Sequence, residues 1–275
     1  MSAGAERPAE PVVARPASTV LLLRDGPDGR LQVFLQRRVT GMAFGGGMTV
    51  FPGGGVDRTD LDDPAPWSGP APRWWADRLG TEPTVAAGFV RAAVRETFEE
   101  SGVLLASRPD GTPVDQGVLG EARADVVART RTFGDVLAEA GLVLRADLLR
   151  LWARWITPVV QPRRYDTVFF TALVPDGQEA DAHTTEAVEA SWWSPSDALA
   201  AHRDKEIGLM RPTLAILTDI ARHPDAASLR AAGPDGPIRP ILPMVVGPGP
   251  RVLLPGDPGY DPDVAAGVVR TGGAR

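Results

Sequence analysis

Short apolar runs bounded by glycine, proline and aspartate dominate the first 55 residues of this chain, and such runs are typical of β-strands. Two of them, 18–24 and 31–38, flank Asp25-Gly26-Pro27-Asp28-Gly29, a sequence that predicts a hairpin turn. A short strand over 48–51 follows and ends in Pro52-Gly53-Gly54-Gly55. Three later runs also predict strands, at 152–160, 167–174 and 188–193.

Helical spacing replaces this pattern in the middle of the chain. Val90, Val94, Thr97 and Ser101 share one side of a predicted helix, and Gly102 follows where glycine commonly ends helices. Predicted helices cover 86–101, 119–140 (as two helices), 194–202 and 213–222. Because strands and helices mix without strict alternation, the pattern indicates an α/β or α+β sandwich around a mixed β-sheet.

The organisation along the chain suggests one large domain with two insertions. We expect a disordered tail over 1–16, a single domain over 17–260 and a C-terminal tail over 261–275. A segment rich in Pro, Asp and Trp, about 61–85, reads as an inserted excursion from the core with one short helix. A second insertion, about 115–150, is predicted to be helical.

Composition narrows the class of protein. Hydrophobic residues make up 43% and charged residues 23% of the chain, as in globular proteins, and no apolar run is long enough to span a membrane. The absence of cysteine excludes disulfides, cysteine-ligated zinc and thiol catalysis. A net charge of −6 argues against general affinity for nucleic acid. We therefore expect a cytoplasmic protein that acts on a small molecule and associates with neither membrane nor nucleic acid.

An acidic cluster gives the predicted long helix its chemistry. Glu96, Glu99 and Glu100 fall within roughly a 100° arc of the helix surface. Like charges at these spacings repel one another and destabilise a helix by a few tenths of a kcal/mol per pair, so a counter-charge is expected. A hard divalent cation held by oxygen ligands would supply it, with Mg²⁺ as the favoured ion and Mn²⁺ as the alternative.

Two segments together resemble the Nudix hydrolase signature, Gly-x5-Glu-x7-Arg-Glu-U-x-Glu-Glu-x-Gly-U, where U is apolar. They are Phe51-Pro52-Gly53-Gly54-Gly55-Val56-Asp57, continuing to Asp60, and Arg95-Glu96-Thr97-Phe98-Glu99-Glu100-Ser101-Gly102-Val103. Thr97 stands at the first apolar position, and Asp60 stands where the signature has its first Glu. Thirty-four residues separate Asp60 from Arg95, where the signature has seven, so about 27 residues are inserted.

An interrupted signature of this kind resembles the Nudix subgroup that includes the peroxisomal acyl-coenzyme A diphosphatase of mammals. Four other stretches support this resemblance, at 33–38, 155–170, 189–199 and 253–260. The resemblance thus covers most of the chain. It implies a Nudix-type α/β/α sandwich around a mixed β-sheet, with an insertion inside the signature.

The resemblance also implies roles for the charged residues. Family members hydrolyse a pyrophosphate linkage with the help of bound metal, for which Glu96, Glu99 and Glu100 would be the ligands. Arg95 would hold these carboxylates in place. A further carboxylate from beyond the signature, Glu186 or Glu189, is a candidate general base or metal ligand. Glu96 is also a candidate for the general base.

The substrate follows less directly from the residues. The resemblance favours coenzyme A or an acyl-coenzyme A, although the coenzyme A motif of other subgroups is absent. Backbone at Gly53 and Gly54 would approach the pyrophosphate. Candidate partners for a further phosphate are basic pairs, Arg37 with Arg38 and Arg163 with Arg164.

Other functions stay open at this point. One alternative is a pyrophosphatase of dinucleotides such as NADH or ADP-ribose. Another is a non-catalytic Nudix module that senses a nucleotide, although such a module would be expected to lose some of the carboxylates. A P-loop nucleotidase is excluded because no Gly-Lys-Ser/Thr follows the glycines.

Overall fold

The computed structural model describes residues 11–41, 45–63, 65, 67–181, 187–247 and 251–267. The strands are β1 (Arg15–Asp25), β2 (Leu31–Arg38), β3 (Met48–Val50), β4 (Gly53–Gly55), β5 (Trp67–Ser68), β6 (Ala106–Ser107), β7 (Val143–Arg145), β8 (Arg150–Ile156), β9 (Tyr165–Leu173), β10 (Ala187–Trp193), β11 (Gly208–Leu209), β12 (Met244–Val246) and β13 (Arg251–Leu253). The α-helices are α1 (Arg58–Asp62), α2 (Pro72–Leu79), α3 (Pro83–Ser101), α4 (Gly120–Val127), α5 (Phe133–Glu139), α6 (Pro195–Arg203), α7 (Arg211–Ile220), α8 (Ala226–Ala231) and α9 (Pro262–Ala265).

A mixed β-sheet forms the centre of the molecule, with strands in the order β11-β3-β2-β1-β9-β8. β1 runs parallel to β9 along nine residue pairs and forms the predicted antiparallel hairpin with β2. β10 lies on the other side of β2, antiparallel to it. The α/β fold predicted from the sequence is therefore confirmed.

The partner of β1 changes along its length, and this change positions the candidate site. The C-terminal part of β1 pairs with β2 through Leu23–Asp25, whereas its N-terminal part pairs with β4. β2 in turn continues against β3. Phe51 and Pro52 carry the chain from β3 to β4, so β2 and β4 diverge at this point.

Two apolar layers cover the two faces of the sheet. Alternate residues of β1 point to opposite faces, so that Val20 and Leu22 pack toward α2 and α3, while Leu21 and Leu23 pack toward α6, α7 and α8. Phe34 and Leu35 of β2 divide in the same way. The result is the α/β/α sandwich that the family resemblance implies.

The insertion at 61–85 is part of the core, which corrects the expectation of an excursion. Its helix α2 begins with Pro72, whose missing N–H costs nothing in the first turn. Trp75 is only 1% exposed and contacts the ring of Phe170 in the sheet. The Pro70 carbonyl accepts a hydrogen bond from the Trp75 indole. The large apolar surface of Trp75 makes the inserted segment a structural layer.

Several predicted boundaries shift by a few residues. β1 begins at Arg15, inside the predicted N-terminal tail, because its parallel pairing with β9 extends to that residue. α9 forms within the predicted C-terminal tail, where Ala265 packs against Met244 and Leu253. Both elements are stabilised by contacts with distant residues, which local sequence does not reveal. Within the described ranges, every helix is too short or too polar to cross a bilayer.

Candidate active site

The acidic helix α3 is anchored by its polar residues as well as its apolar ones. The predicted buried side is confirmed, since Val90, Val94, Thr97 and Ser101 are all 0% exposed. The hydroxyls of Thr97 and Ser101 donate to the carbonyls four residues earlier, which satisfies both groups within the helix. Gly102 ends the helix in the left-handed conformation, with φ of 72°. The glutamates therefore project from a rigid element.

The glycines of β4 permit close approach between this strand and α3. A Cβ on Gly54 would lie 2.6 Å from Cδ and Oε1 of Glu96, far inside van der Waals contact. A Cβ on Gly53 would lie 2.3 Å from the carbonyl oxygen of Ser18 in β1. Any larger residue would push the strand away from the helix or from the sheet. The Gly53-Gly54 pair thus brings the backbone directly against the Glu96 carboxylate.

Arg95 joins the two halves of the divided signature. Its Nε and Nη2 donate to the two carboxylate oxygens of Asp60 at 3.0 and 2.8 Å. Nη2 also donates to the Gly55 carbonyl at 2.9 Å, and Nη1 donates to Glu96 at 2.6 Å and Glu99 at 3.0 Å. The guanidinium is 6% exposed. Arg95 is thus a positioning residue whose donors are directed to the protein, as the resemblance implies.

Burial and neighbouring charges act in opposite directions on Arg95. Burial lowers the pKa of its guanidinium, but the hydrogen bonds to Asp60 and the charge of Glu96 outweigh this effect and raise the pKa above its ordinary value. The side chain therefore stays charged.

Asp60 serves as an anchor. Both of its oxygens bind Arg95, and Oδ2 also accepts the N–H of Asp57 at 2.8 Å at the start of α1. The residue is 5% exposed. The shorter Asp, in place of the signature Glu, thus fixes α1 onto α3, and Arg95 holds β4 through the Gly55 carbonyl.

Glu100 lies where β2 and β4 diverge. Its Oε2 accepts a hydrogen bond from the Gln36 amide at 2.5 Å and another from the Gly53 N–H at 2.6 Å. Glu100 is 4% exposed. This carboxylate therefore joins α3 to both strands. It also accepts hydrogen bonds from N–H donors that have no partner where the two strands separate.

The carboxylates of Glu96 and Glu99 are under electrostatic strain. Burial raises the pKa of Glu96 to about 7 against the opposing charge of Arg95, and the nearby Glu99 carboxylate adds to the rise. Burial also raises the pKa of Glu99, with Arg95 partly compensating. A single buried arginine does not balance the carboxylates around it, and the cluster favours a further cation.

Glu189, one of the two carboxylates predicted from beyond the signature, does not join this cluster. Glu189 pairs with Arg37 across the β10–β2 ladder, at 3.1 Å from its guanidinium. Gln36 contacts Glu100, and successive strand residues point to opposite faces, so Arg37 and Glu189 lie on the other face of the sheet. Glu186 lies outside the described residues.

The four predicted anion-binding arginines have different surroundings. Arg37 is engaged by Glu189, as above, whereas Arg38 lies two residues from Gln36 and so shares the face of the carboxylate cluster. Arg164 donates to the carbonyls of Thr157 and Val12 at 3.0 and 2.6 Å, and burial lowers its pKa. Arg163 is exposed in the turn between β8 and β9. Arg38 is therefore the one of the four that the sheet directs toward the site.

Sequence reasoning missed Gln36, Asp57 and Arg129. Gln36 had a readable signal, because it is a polar residue directly after the apolar run Val33–Leu35 and on the same face of the strand as Phe34. Asp57 and Arg129 meet at 3.4 Å across 72 residues of chain, and no local pattern announces that contact.

The donor chemistry of the cluster fits a hard divalent cation. Glu96, Glu99 and Glu100 offer carboxylate oxygens beside the glycine backbone, and these are the ligands that Mg²⁺ and Mn²⁺ accept. Among the described residues, no three acidic or histidine side chains are already arranged as a preformed metal site. The oxygens of Glu96 and Glu100 point instead to Arg95, Gln36 and Gly53.

Comparison with known proteins identifies the family. The sequence profile described as the NUDT19 Nudix domain matches residues 71–220, more than half of the chain. The chain belongs to this Nudix family. A putative nudix hydrolase 7 of Caenorhabditis elegans is 32% identical over 194 residues, which cover 70% of this chain and 57% of that protein's length. The acyl-coenzyme A diphosphatase NUDT19 of Gallus gallus is 28% identical over 308 residues, with 90% and 81% coverage.

A solved structure supports the fold. The NUDIX hydrolase of Alicyclobacillus acidocaldarius superimposes with a TM-score of 0.68 at 29% sequence identity, over 82% of this chain and 99% of that one. The Nudix fold of this chain, including the central mixed sheet, is thus shared with an experimentally determined relative.

Proposed function

We propose that the protein is a Mg²⁺-dependent Nudix hydrolase that cleaves the pyrophosphate linkage of a nucleoside diphosphate derivative, with coenzyme A or an acyl-coenzyme A as the favoured substrate. One observation carries the proposal. The two hydrogen bonds between Arg95 and Asp60 close the divided signature across 35 positions of sequence. The glycine strand and the three glutamates therefore form one site despite the insertion.

Glu96, Glu99 and Glu100 would hold the metal, with Mn²⁺ as an alternative ion. When bound, the metal supplies charge neutralisation at the phosphates and lowers the pKa of a coordinated water. The protein's own contribution is to hold the carboxylates at fixed positions. Arg95 orients Glu96 and Glu99, while Gln36 and the Gly53 N–H orient Glu100.

The attacking water needs a group that accepts its proton. Glu189 lies on the other face of the sheet, bound to Arg37. Within the cluster, burial raises the pKa of Glu96 to about 7, which suits a general base at physiological pH. We therefore favour Glu96 for this role, with Glu99 and Glu100 as the principal metal ligands.

The substrate choice is supported by the relatives. NUDT19 proteins of Gallus gallus and Homo sapiens carry the name acyl-coenzyme A diphosphatase and are 28% and 29% identical to this chain. Coenzyme A has a 3′-phosphate beyond its pyrophosphate, and this group requires a cation outside the metal site. Arg38 is our candidate because it shares the face of Gln36.

The alternatives predict different substrate profiles. A dinucleotide pyrophosphatase would cleave NADH or ADP-ribose in preference to coenzyme A. A nucleotide sensor would bind without turnover, but the presence of all three glutamates and Arg95 favours catalysis.

A substrate screen with Mg²⁺ or Mn²⁺ tests the proposal. Purified protein is incubated with coenzyme A, acyl-coenzyme A, NADH, ADP-ribose and nucleoside triphosphates, and products are identified by mass. Hydrolysis in ¹⁸O-water should place one labelled oxygen in one of two phosphomonoester products. Preference for NADH or ADP-ribose would overturn the substrate choice, and absence of turnover with every compound would overturn the reaction itself.

A further inference from the structure

The helical segment after α3 is tied to the end of the acidic helix. Arg123 in α4 donates from Nε and Nη2 to the carbonyl oxygen of Glu99, at 3.2 and 3.1 Å. Its Nη1 binds the carboxylate of Asp181 at 2.9 and 2.7 Å. The Arg123 side chain is 14% exposed. These bonds set the position of α4 relative to the glutamates.

Two residues after the end of α4, Arg129 has an uncommon backbone conformation. Arg129 has φ of 58°, and its N–H donates to the carbonyl of Val126. Left-handed backbone is rare for residues other than glycine and is worth attention when it occurs near a candidate site. Lys205, with φ of 63°, is the other such residue among those described, and it follows α6 on the opposite face of the sheet.

This conformation places the Arg129 guanidinium at the rim of the carboxylate cluster. Nη2 of Arg129 lies 3.4 Å from Oδ2 of Asp57, the residue that precedes α1. The same Asp57 oxygen lies 3.9 Å from Nη2 of Arg95, the arginine that binds Glu96 and Glu99. Arg129 is thus close enough to the metal-binding candidates to act on them electrostatically.

Arg129 differs from Arg95 in what its donors do. The Arg95 guanidinium is 6% exposed and directs its donors to protein oxygens. The Arg129 side chain is 76% exposed, and its ion pair with Asp57 is longer than a good hydrogen bond. An exposed guanidinium can bind a phosphate group through two parallel hydrogen bonds to two of its oxygens.

We propose that Arg129 forms an anion subsite at the rim of the carboxylate cluster, where it binds a phosphate oxygen of a nucleoside diphosphate derivative. This inference rests on the proposed function, since the same site would hold the substrate. It assigns a role to the α4 segment, which is bound to the end of α3 and positions the Arg129 guanidinium near the end of the glycine strand.

Kinetics of three Arg129 variants test the subsite. Arg129→Ala and Arg129→Gly both remove the charge, but glycine also relieves the left-handed backbone, so a shared kinetic effect cannot come from backbone strain. Both variants should raise KM by about tenfold or more, the usual worth of a charge-assisted hydrogen bond, with kcat within about threefold of wild type. Arg129→Lys should recover part of the loss. The inhibition constant of ADP should rise in parallel.

Arg58→Ala is the matched control. Arg58 is 93% exposed, lies one residue from Asp57 and pairs with Asp62, so its loss removes one nearby charge without touching the proposed subsite. It should leave KM and ADP inhibition within about twofold of wild type, because exposed charges are strongly screened. An equal rise in KM for Arg58→Ala and Arg129→Ala would overturn the subsite in favour of a general charge effect.

The remaining outcomes separate this inference from the function on which it rests. If wild-type protein hydrolyses a nucleoside diphosphate derivative and both neutral Arg129 variants keep its KM and ADP inhibition, the subsite is wrong and the function stands. If kcat falls while KM and ADP inhibition stay unchanged, Arg129 acts on Glu99 or Asp57 and the subsite is again wrong. If the wild-type protein hydrolyses no nucleoside diphosphate derivative, the proposed function itself is wrong.

Discussion

Arg95 and Arg154 are both buried arginines that hold an aspartate with two hydrogen bonds, yet the charge around them differs. Arg154 binds Asp166 at 2.8 and 2.6 Å, and its remaining donor meets the carbonyl of Leu79. The positive charge of Arg154 is thus balanced by the negative charge of Asp166. Arg95 binds Asp60 in the same way but also faces Glu96 and Glu99.

The difference separates an ion pair whose charges balance from a cluster that has more negative than positive charge. In a balanced pair each charge is compensated by its partner, and the fold loses stability when one partner is removed. A cluster with excess negative charge pays for its burial with repulsion, which a bound cation relieves. Binding of an aspartate by an arginine thus stabilises the fold at β8, whereas at α3 the same contact is part of a cluster with excess negative charge.

The largest expected effect follows from removing each arginine. Arg95→Leu leaves three buried carboxylates uncompensated and should lower the free energy of unfolding by about 3–5 kcal/mol at pH 8 in metal-free buffer. Arg154→Leu leaves one carboxylate uncompensated and should cost less. Urea denaturation of both variants measures the difference. An equal or larger loss in Arg154→Leu would break the comparison.

The pH dependence of stability should report Glu96. Its pKa is about 7 in the folded protein against an ordinary 4.5, so the folded state holds the proton more tightly than the unfolded state. Stability from this group is therefore present below pH 4.5 and is lost as pH rises through 7, by up to about 3 kcal/mol. Denaturation in EDTA at pH 5 and pH 8 should show a smaller pH dependence for Glu96→Gln than for wild type. Parallel curves would contradict the assignment.

Metal should stabilise the cluster and leave the balanced pair unaffected. Saturating Mg²⁺ or Mn²⁺ should raise the unfolding free energy of wild type by about 1–3 kcal/mol through preferential binding to the folded state. Glu99→Gln should lose most of this gain and lower kcat by about 100-fold or more. Asp166→Asn should keep the metal response. A full response in Glu99→Gln would remove Glu99 from the ligand set.

The smallest effect is expected at Gln36. Gln36→Met removes the amide that donates to Glu100, and it also removes Oε1, which has no hydrogen-bond partner among the described residues. The net cost in stability should be about 1 kcal/mol because these two changes partly offset each other. Calorimetric titration should show weaker Mn²⁺ binding, since Glu100 loses one of its orienting donors. Unchanged Mn²⁺ affinity would show that Glu100 is positioned without the Gln36 amide.

Local pattern was sufficient for some of these features and insufficient for others. The buried stripe of α3, from Val90 to Ser101, follows from helical spacing, and the hairpin of β1 and β2 follows from its turn residues. The placement of Trp75 in the core did not follow, because the Pro- and Asp-rich composition around it resembles that of a surface loop. Glu189 was expected near the cluster because it lies at a strand end, but the register of β10 against β2 turns it to the other face.

The sequence by itself determined the family, the acidic helix and the glycines opposite it, since these depend on residue type and short spacing. Only the tertiary structure decided which groups each carboxylate meets. Asp60 reaches Arg95 across 35 positions and Gln36 reaches Glu100 across 64, and both contacts depend on how β1 exchanges β2 for β4. Spacing within a helix is set by local geometry, whereas contacts of this range are set by the packing of the whole sheet.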